Sequence, residues 1–255
     1  MGLLNWLRPA PRCPVDPPAR AWLDRRWAWL ESQFGPESAR RCDVVLPRPE
    51  FFPDPYHATE DDARGVFGRV CGFMGIDPRC VELSLFEGGS PFASSPLFVG
   101  RWEGAVGLYQ RDGDLFRIWV ESASLHEPVG MVATMAHELA HVHLLGHGRV
   151  SPDEEDHEPL TDLLTVYLGL GVLSANSVVS EGYWHDGNLS GWSLSRRGYT
   201  DMRSYGYALA RFARLREEAD PAWARELRPD VRQAYKQAAR FLATESPPRP
   251  PGDLA

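Results

Sequence analysis

The sequence predicts an α+β fold in which a small antiparallel sheet packs on one apolar helix and a mainly helical C-terminal half follows. Three segments with strand composition occur close together between residues 81 and 120. An apolar run with helical spacing, Val129 to Leu145, comes directly after them. Beyond residue 200 the apolar residues recur every three to four positions, which is the period of an amphipathic helix.

Length and composition favour a single globular domain. The chain has 255 residues, 43% of them hydrophobic and 24% charged, which is ordinary for a soluble globular protein. We predict one domain over residues 21–245, with a sheet half at about 40–148 and a helical half at about 155–245. Residues 1–20 are rich in proline and are predicted to form an irregular arm. The proline-rich residues 246–255 are predicted to be a disordered tail.

Charge and cysteine usage exclude several classes of function. The formal net charge of -8 argues against a nucleic-acid-binding protein, because such proteins usually present a basic surface. No apolar stretch has the length and purity of a membrane span, and the short apolar patch at the N-terminus is not a signal-peptide core. The four cysteines have no CxxC spacing, which favours a reduced compartment. We therefore expect a cytoplasmic protein that binds neither nucleic acid nor a membrane.

Two helices and one strand are predicted before the sheet. Ala21–Phe34 carries its tryptophans mostly on one helical face and ends at Gly35-Pro36. Val44–Leu46, which lies next to prolines, is a short strand candidate. Thr59 followed by three acidic residues is typical of a helix start, and that helix is predicted to extend to about Met74.

The predicted sheet consists of three strand candidates, Val81–Phe86, Ala105–Gln110 and Leu115–Val120. The last two flank the pair Asp112-Gly113, which is a strong signal for an antiparallel hairpin.

The apolar run that follows contains the sequence His137-Glu-Leu-Ala-His141. On a helix, residues four apart lie on one face, so the two imidazoles could bind one divalent metal ion. Glu138 could reach a water molecule on that ion. Pro128 suits the start of such a helix and Gly146 its end. The alternative is a buried helix whose histidines have hydrogen-bond partners and no metal.

This HExxH pattern, with its context over roughly residues 115–162, resembles the zincin metallopeptidases. The resemblance implies a zincin-like fold, zinc ligation by His137 and His141, and Glu138 as general base. It also implies that an edge strand beside the site pairs with an extended peptide substrate. Leu115–Val120, the strand closest to the helix in sequence, is the candidate for that edge. An ordinary core hairpin would show the same pattern.

A catalytic zinc ion needs a third protein ligand and one open position. Glu158 and Asp162 are four residues apart on a second predicted helix, so both could face the first helix. This ExxxD pair resembles the gluzincins, the thermolysin-like branch, which implies that Glu158 binds zinc and Asp162 orients His137. Pro159 departs from that branch and requires Glu158 to lie in the first turn of its helix.

His147 is the main alternative third ligand, because it follows His137 at the spacing of the metzincin branch, HExxHxxGxxH. That branch has glycine at the position occupied here by Leu144. His143 lies ~200° around the helix from the second histidine and is expected to point away from the site. The further alternatives for the third ligand are Asp156, His157 and Asp162.

Residues farther along the chain could supply a hydrogen bond to an oxyanion, as in thermolysin-like enzymes. The candidates are Tyr183, His185 and Tyr207, with Tyr199 and Tyr205 in competition. Two amphipathic helices, Asp201–Glu218 and Val231–Leu242, complete the predicted fold.

The sequence thus predicts a zinc-dependent hydrolase that cleaves peptide bonds with a zinc-bound water activated by Glu138. The expected cofactor is Zn²⁺ and the expected partner is a peptide or protein substrate. The alternative is a non-catalytic zincin-like protein in which the metal or the groove serves binding or regulation. Glu138 favours catalysis, because a purely structural zinc site has no use for a general base.

Overall fold

The structure, a computed structural model, describes residues 10–87, 107–112, 115–177 and 200–245. Its helices and strands confirm the α+β prediction: eight α-helices accompany a three-stranded sheet in the described residues. In chain order they are α1 (Pro17–Phe34), α2 (Pro36–Arg41), α3 (Glu60–Met74), β1 (Val81–Phe86), β2 (Gly107–Asp112), β3 (Leu115–Glu121), α4 (Pro128–His141), α5 (His157–Tyr167), α6 (Gly171–Ser177), α7 (Met202–Leu215) and α8 (Pro229–Leu242).

The sheet is mixed, so the prediction of an antiparallel sheet was wrong. β3 pairs antiparallel with β2, as the hairpin signal predicted, with Tyr109 opposite Ile118. On its other side β3 pairs parallel with β1, with Leu83 opposite Ile118. A parallel pair requires a long crossover connection, and the whole of β2 lies within the chain that joins β1 to β3. No local sequence signal predicts the parallel pairing of β1 with β3.

The strand predicted to form the edge, Leu115–Val120, lies in the centre of the sheet instead. The strand order is β1-β3-β2, so β3 has a hydrogen-bonded neighbour on each side. Its side chains alternate, with Phe116, Ile118 and Val120 buried. Sequence proximity to α4 was a poor guide, because α4 contacts both β2 and β3.

The N-terminal elements differ from the prediction at two places. α1 begins at Pro17, four residues before the predicted start, because the carboxylate of Asp16 accepts the N–H of Ala19 at 2.8 Å and prolines are tolerated in a first helical turn. The predicted strand Val44–Leu46 is not a strand. There the N–H of Val45 donates to the carbonyl of Gly169 at 2.9 Å. The helix start at Thr59 is confirmed by a capping box with Asp62.

α4 lies in the middle of the core, and ten of its fourteen residues are buried. It contacts the sheet as well as α3, α5 and α6, and Met131, Met135 and Leu139 have no exposed surface. A helix buried on this scale must satisfy its polar side chains inside the protein, because an unpaired buried polar group is costly. The polar groups of α4 therefore determine what can pack around it.

α7 and α8 close the fold as two amphipathic helices in mutual contact, within three residues of the predicted bounds. Gly206 allows this close approach, since a Cβ atom there would lie 2.5 Å from the Cβ of Ala234. None of the described helices combines the length and the apolar character needed to cross a membrane.

Substitution of Gly206 by alanine is expected to lower the free energy of unfolding by about 1–3 kcal/mol, because α7 and α8 must move apart. Gly68→Ala in α3 is the matched control. A Cβ there meets nothing within 4 Å, so that change should stabilise the helix by up to about 1 kcal/mol. Chemical denaturation measures both, and equal effects of the two changes would contradict the packing at Gly206.

Candidate metal centre

The two histidines of the HExxH sequence lie one turn apart at the C-terminal end of α4. Their rings stand edge to face, with centroids 4.9 Å apart. α4 ends at His141 and the chain continues in a π-helical turn, Val142–Gly146, a geometry that is frequent at functional sites. The turn lies close under the sheet, since a Cβ on Gly146 would come within 2.7 Å of the Phe116 ring.

Glu158 reaches the histidines from the first turn of α5. That helix begins at His157, with Asp156 at its N-cap. Pro159 therefore falls within the first turn, where a proline loses no helical hydrogen bond. The condition that Pro159 imposed on Glu158 is met.

Three donor atoms converge between α4 and α5. The Oε2 atom of Glu158 lies 3.1 Å from Nε2 of His137 and 3.5 Å from Nε2 of His141. The three donor atoms all lie within 4.8 Å of one another, and no other group of three or more His, Cys, Asp or Glu in the described residues does so. Donors around a tetrahedral zinc ion with bonds of ~2.1 Å would be ~3.4 Å apart. The donor set and its spacing therefore fit zinc.

Asp162 orients the ring of His137 by a hydrogen bond to the ring nitrogen that does not face Glu158. Its Oδ1 atom accepts from Nδ1 of His137 at 2.9 Å, which directs Nε2 of the ring towards Glu158. Its Oδ2 atom accepts the backbone N–H of Thr200 at 3.0 Å. Burial and the nearby Asp162 carboxylate raise the pKa of the Tyr205 hydroxyl well above its usual value. A hydrogen bond such as that between His137 and Asp162 fixes the tautomer and the orientation of a metal-binding imidazole.

His141 has a different partner, the side chain of Thr161, which is fully buried. The Thr161 hydroxyl donates to the carbonyl of His157 at 2.8 Å, so its oxygen can accept from Nδ1 of His141 at 3.4 Å. The ring of Tyr109, on β2, lies over His141 with centroids 5.9 Å apart. Sequence reasoning missed both. The only signal for Thr161 is its position next to Asp162 on α5, and nothing in the sequence indicates Tyr109.

The second oxygen of Glu158 has its own neighbour. Nε2 of His157 lies 3.2 Å from Oε1 of Glu158, while Nδ1 of His157 donates to the carbonyl of Glu154 at 2.7 Å. His157, an alternative third ligand on sequence grounds, thus lies beside the Glu158 carboxylate rather than among the three donors. Asp156, another alternative, turns towards α1 and binds Arg26.

The titratable side chains of the group differ in the direction in which their pKa is shifted. Burial would raise the pKa of Glu158, but hydrogen bonds from His137 and His141 lower it far below its usual range. Burial would lower the pKa of His137, yet Asp162 and Glu158 raise it well above its usual value. Glu138 is buried, and that burial raises its pKa against the opposing effect of the two histidines. A raised carboxyl pKa suits a general base that must both accept and release a proton.

The other candidates from the sequence lie elsewhere. His147 is exposed, and its Nδ1 atom lies 2.9 Å from the guanidinium of Arg149, so it is not among the three donors. His143 points away as expected, with Nε2 at 2.8 Å from the carbonyl of Met74.

The prediction of Tyr207 as an oxyanion donor finds no support in the geometry. Its hydroxyl donates to Asp24 of α1 at 2.9 Å. Tyr205 lies ~200° from Tyr207 around the same helix, and burial together with the nearby Asp162 carboxylate raises the pKa of its hydroxyl well above the usual value. Tyr183, His185 and Tyr199 lie outside the described residues.

Comparisons with known proteins give no relative. No protein-family model, no curated protein and no solved structure matches this chain.

Replacement of Thr161 by valine is expected to weaken zinc binding by about tenfold, because His141 loses the acceptor for its second ring nitrogen. Thr165→Val is the matched control, since its buried hydroxyl bonds to the backbone carbonyl of Asp162 and to the hydroxyl of Ser174 rather than to His141. Competition with a chromophoric chelator measures both affinities. Equal zinc affinities in the two variants would argue against a role of Thr161 at His141.

Proposed function

We propose that this protein is a zinc-dependent hydrolase of the HExxH type that cleaves peptide bonds. The observation that carries the proposal is the convergence of His137, His141 and Glu158, with a buried carboxyl group, Glu138, beside them. A structural zinc site is closed by four protein ligands, whereas a catalytic site has three and keeps a position for water or substrate. Three ligands are what the described residues offer.

The residues around the group have separable tasks in this proposal. Zinc, when bound, would polarise the substrate carbonyl and lower the pKa of water to ~7. Glu138 accepts the proton of the attacking water and delivers it to the leaving nitrogen, so that hydroxyl adds to the carbonyl carbon as the C–N bond breaks. Asp162 keeps His137 oriented throughout. Burial raises the pKa of Glu138, because it disfavours a charged carboxylate that has no nearby cation.

The peptide nature of the substrate is supported by the sheet. β2 lies at one edge of the three described strands, and its Tyr109 packs on His141. An extended peptide can add to such an edge through its backbone, which would bring its carbonyl groups past the metal site. β2 thus takes the role that the sequence had suggested for Leu115–Val120.

Substitutions of Glu158, His147 and Glu138 should separate zinc binding from catalysis. Glu158→Ala is expected to weaken zinc binding by roughly a hundredfold or more, because it removes a ligand rather than a supporting group. His147→Ala is the control and should bind zinc like the wild type, since its side chain lies outside the group. A loss of zinc in His147→Ala with full affinity in Glu158→Ala would reverse the assignment of the third ligand.

Glu138→Gln is expected to retain zinc and to lose peptide hydrolysis by about 10²–10⁴-fold, because the amide cannot accept the proton. A degenerate peptide mixture serves as substrate, and the appearance of new amino groups measures cleavage. Undiminished cleavage by Glu138→Gln would contradict the mechanism. Zinc-loaded wild-type protein that cleaves no member of the mixture would favour the non-catalytic alternative.

A further inference from the structure

Asp156 occupies the N-cap of α5 without capping it. Aspartate is among the preferred N-cap residues because its carboxylate accepts N–H groups of the first turn. Here the side chain makes no such bond and turns to α1 instead. Its Oδ2 atom accepts from Nε1 of Trp22 at 2.6 Å and from Nε of Arg26 at 2.7 Å. Its Oδ1 atom accepts from a terminal nitrogen of the same guanidinium.

Arg26 binds the chain before α5 at two points. Besides its two bonds to Asp156, a terminal nitrogen donates to Oε2 of Glu154 at 2.8 Å. The guanidinium is largely buried, with 16% of the side chain exposed. Two parallel bonds between a guanidinium and a carboxylate fix direction as well as distance.

Asp156 and Glu154, the two residues that Arg26 binds, lie two and four residues before Glu158, the proposed third metal ligand. Glu158 is two residues after Asp156, in the first turn of α5, so its position depends on where that helix begins. The carbonyl of Glu154 accepts from His157, whose other nitrogen lies 3.2 Å from Oε1 of Glu158. The cap and the Glu158 carboxylate are thus connected both through the backbone and through a side chain.

We propose that Arg26 is a positioning residue for the metal centre. By holding Asp156 and Glu154 it sets the start of α5, and so keeps the Glu158 carboxylate against His137 and His141. α1 then contributes to metal affinity although it supplies no ligand. Asp156 forgoes the N-cap hydrogen bond that aspartate usually makes at this position and binds Arg26 instead. This inference rests on the proposed zinc site.

α1 has enough other contacts to remain docked without Arg26. The hydroxyl of Tyr167 donates to the carbonyl of Gly35 at 2.7 Å, and the Tyr167 ring packs edge-on against Trp27. Asp24 accepts from Arg211 of α7 at 2.7 Å. Removal of Arg26 should therefore disturb the start of α5 without releasing the helix.

The test is a double-mutant cycle of zinc affinity in the full-length protein, with Arg26→Ala and Glu158→Ala alone and combined. Arg26→Ala is expected to weaken zinc binding by about tenfold in the wild-type background. In the Glu158→Ala background it should weaken binding no further, because the group it positions is gone. The visible spectrum of the Co²⁺-loaded protein should change in Arg26→Ala, since it reports coordination geometry.

Arg211→Ala is the control, because it removes another ion pair of α1 and leaves the start of α5 intact. It should lower Tm and leave the zinc affinity unchanged. Arg26→Gln replaces Arg26→Ala if the alanine variant does not fold, with a smaller loss expected in the same direction.

The outcomes separate the two proposals. Wild-type protein that binds no zinc overturns the metal site, and unchanged affinity in Glu158→Ala overturns the ligand. If the wild-type protein binds zinc and Glu158→Ala weakens that binding, unchanged affinity in Arg26→Ala overturns the positioning role alone. An equal loss in the Glu158→Ala background, or in Arg211→Ala, would also overturn it.

Discussion

The hydrogen bond between Asp162 and His137 is the interaction on which the packing of the core depends. α4 is buried on almost every side, so an imidazole and a glutamate within it must find partners inside the protein. Asp162, itself 2% exposed, supplies the partner of His137 from α5, and its other oxygen accepts the backbone N–H of Thr200. α5 and the residue before the N-cap of α7 are thereby connected to α4.

Each donor of the metal group is supported by a different neighbour. Asp162 supports His137, Thr161 supports His141, and His157 lies beside Glu158. All three supporting residues come from the first two turns of α5, so the placement of one short helix decides the geometry of the whole group. The contact between α1 and the start of α5 matters for this reason, because Arg26 binds the two acidic residues, Glu154 and Asp156, that precede the helix.

Features with a strict local period or a local hydrogen-bond pattern could be predicted from the sequence. The four-residue spacings His137–His141 and Glu158–Asp162 determine a shared helical face, and the structure brings the two faces together. The capping box at Thr59 and the antiparallel pairing of β2 with β3 are equally local. Strand order is not local, since β1 joins the far side of β3 through a long connection. The choice between Tyr205 and Tyr207 depends on which side of α7 faces α5, and both positions are fully buried and give no sign of it.

In the proposed site, two imidazoles and one carboxylate bind a single zinc ion. X-ray absorption at the zinc K-edge of the stoichiometrically loaded protein tests this ligand set. We expect the multiple-scattering pattern of two imidazoles, with all nitrogen and oxygen donors at ~2.0–2.2 Å and no sulfur. A shell of sulfur donors at ~2.3 Å, or a shell without imidazole scattering, would contradict it.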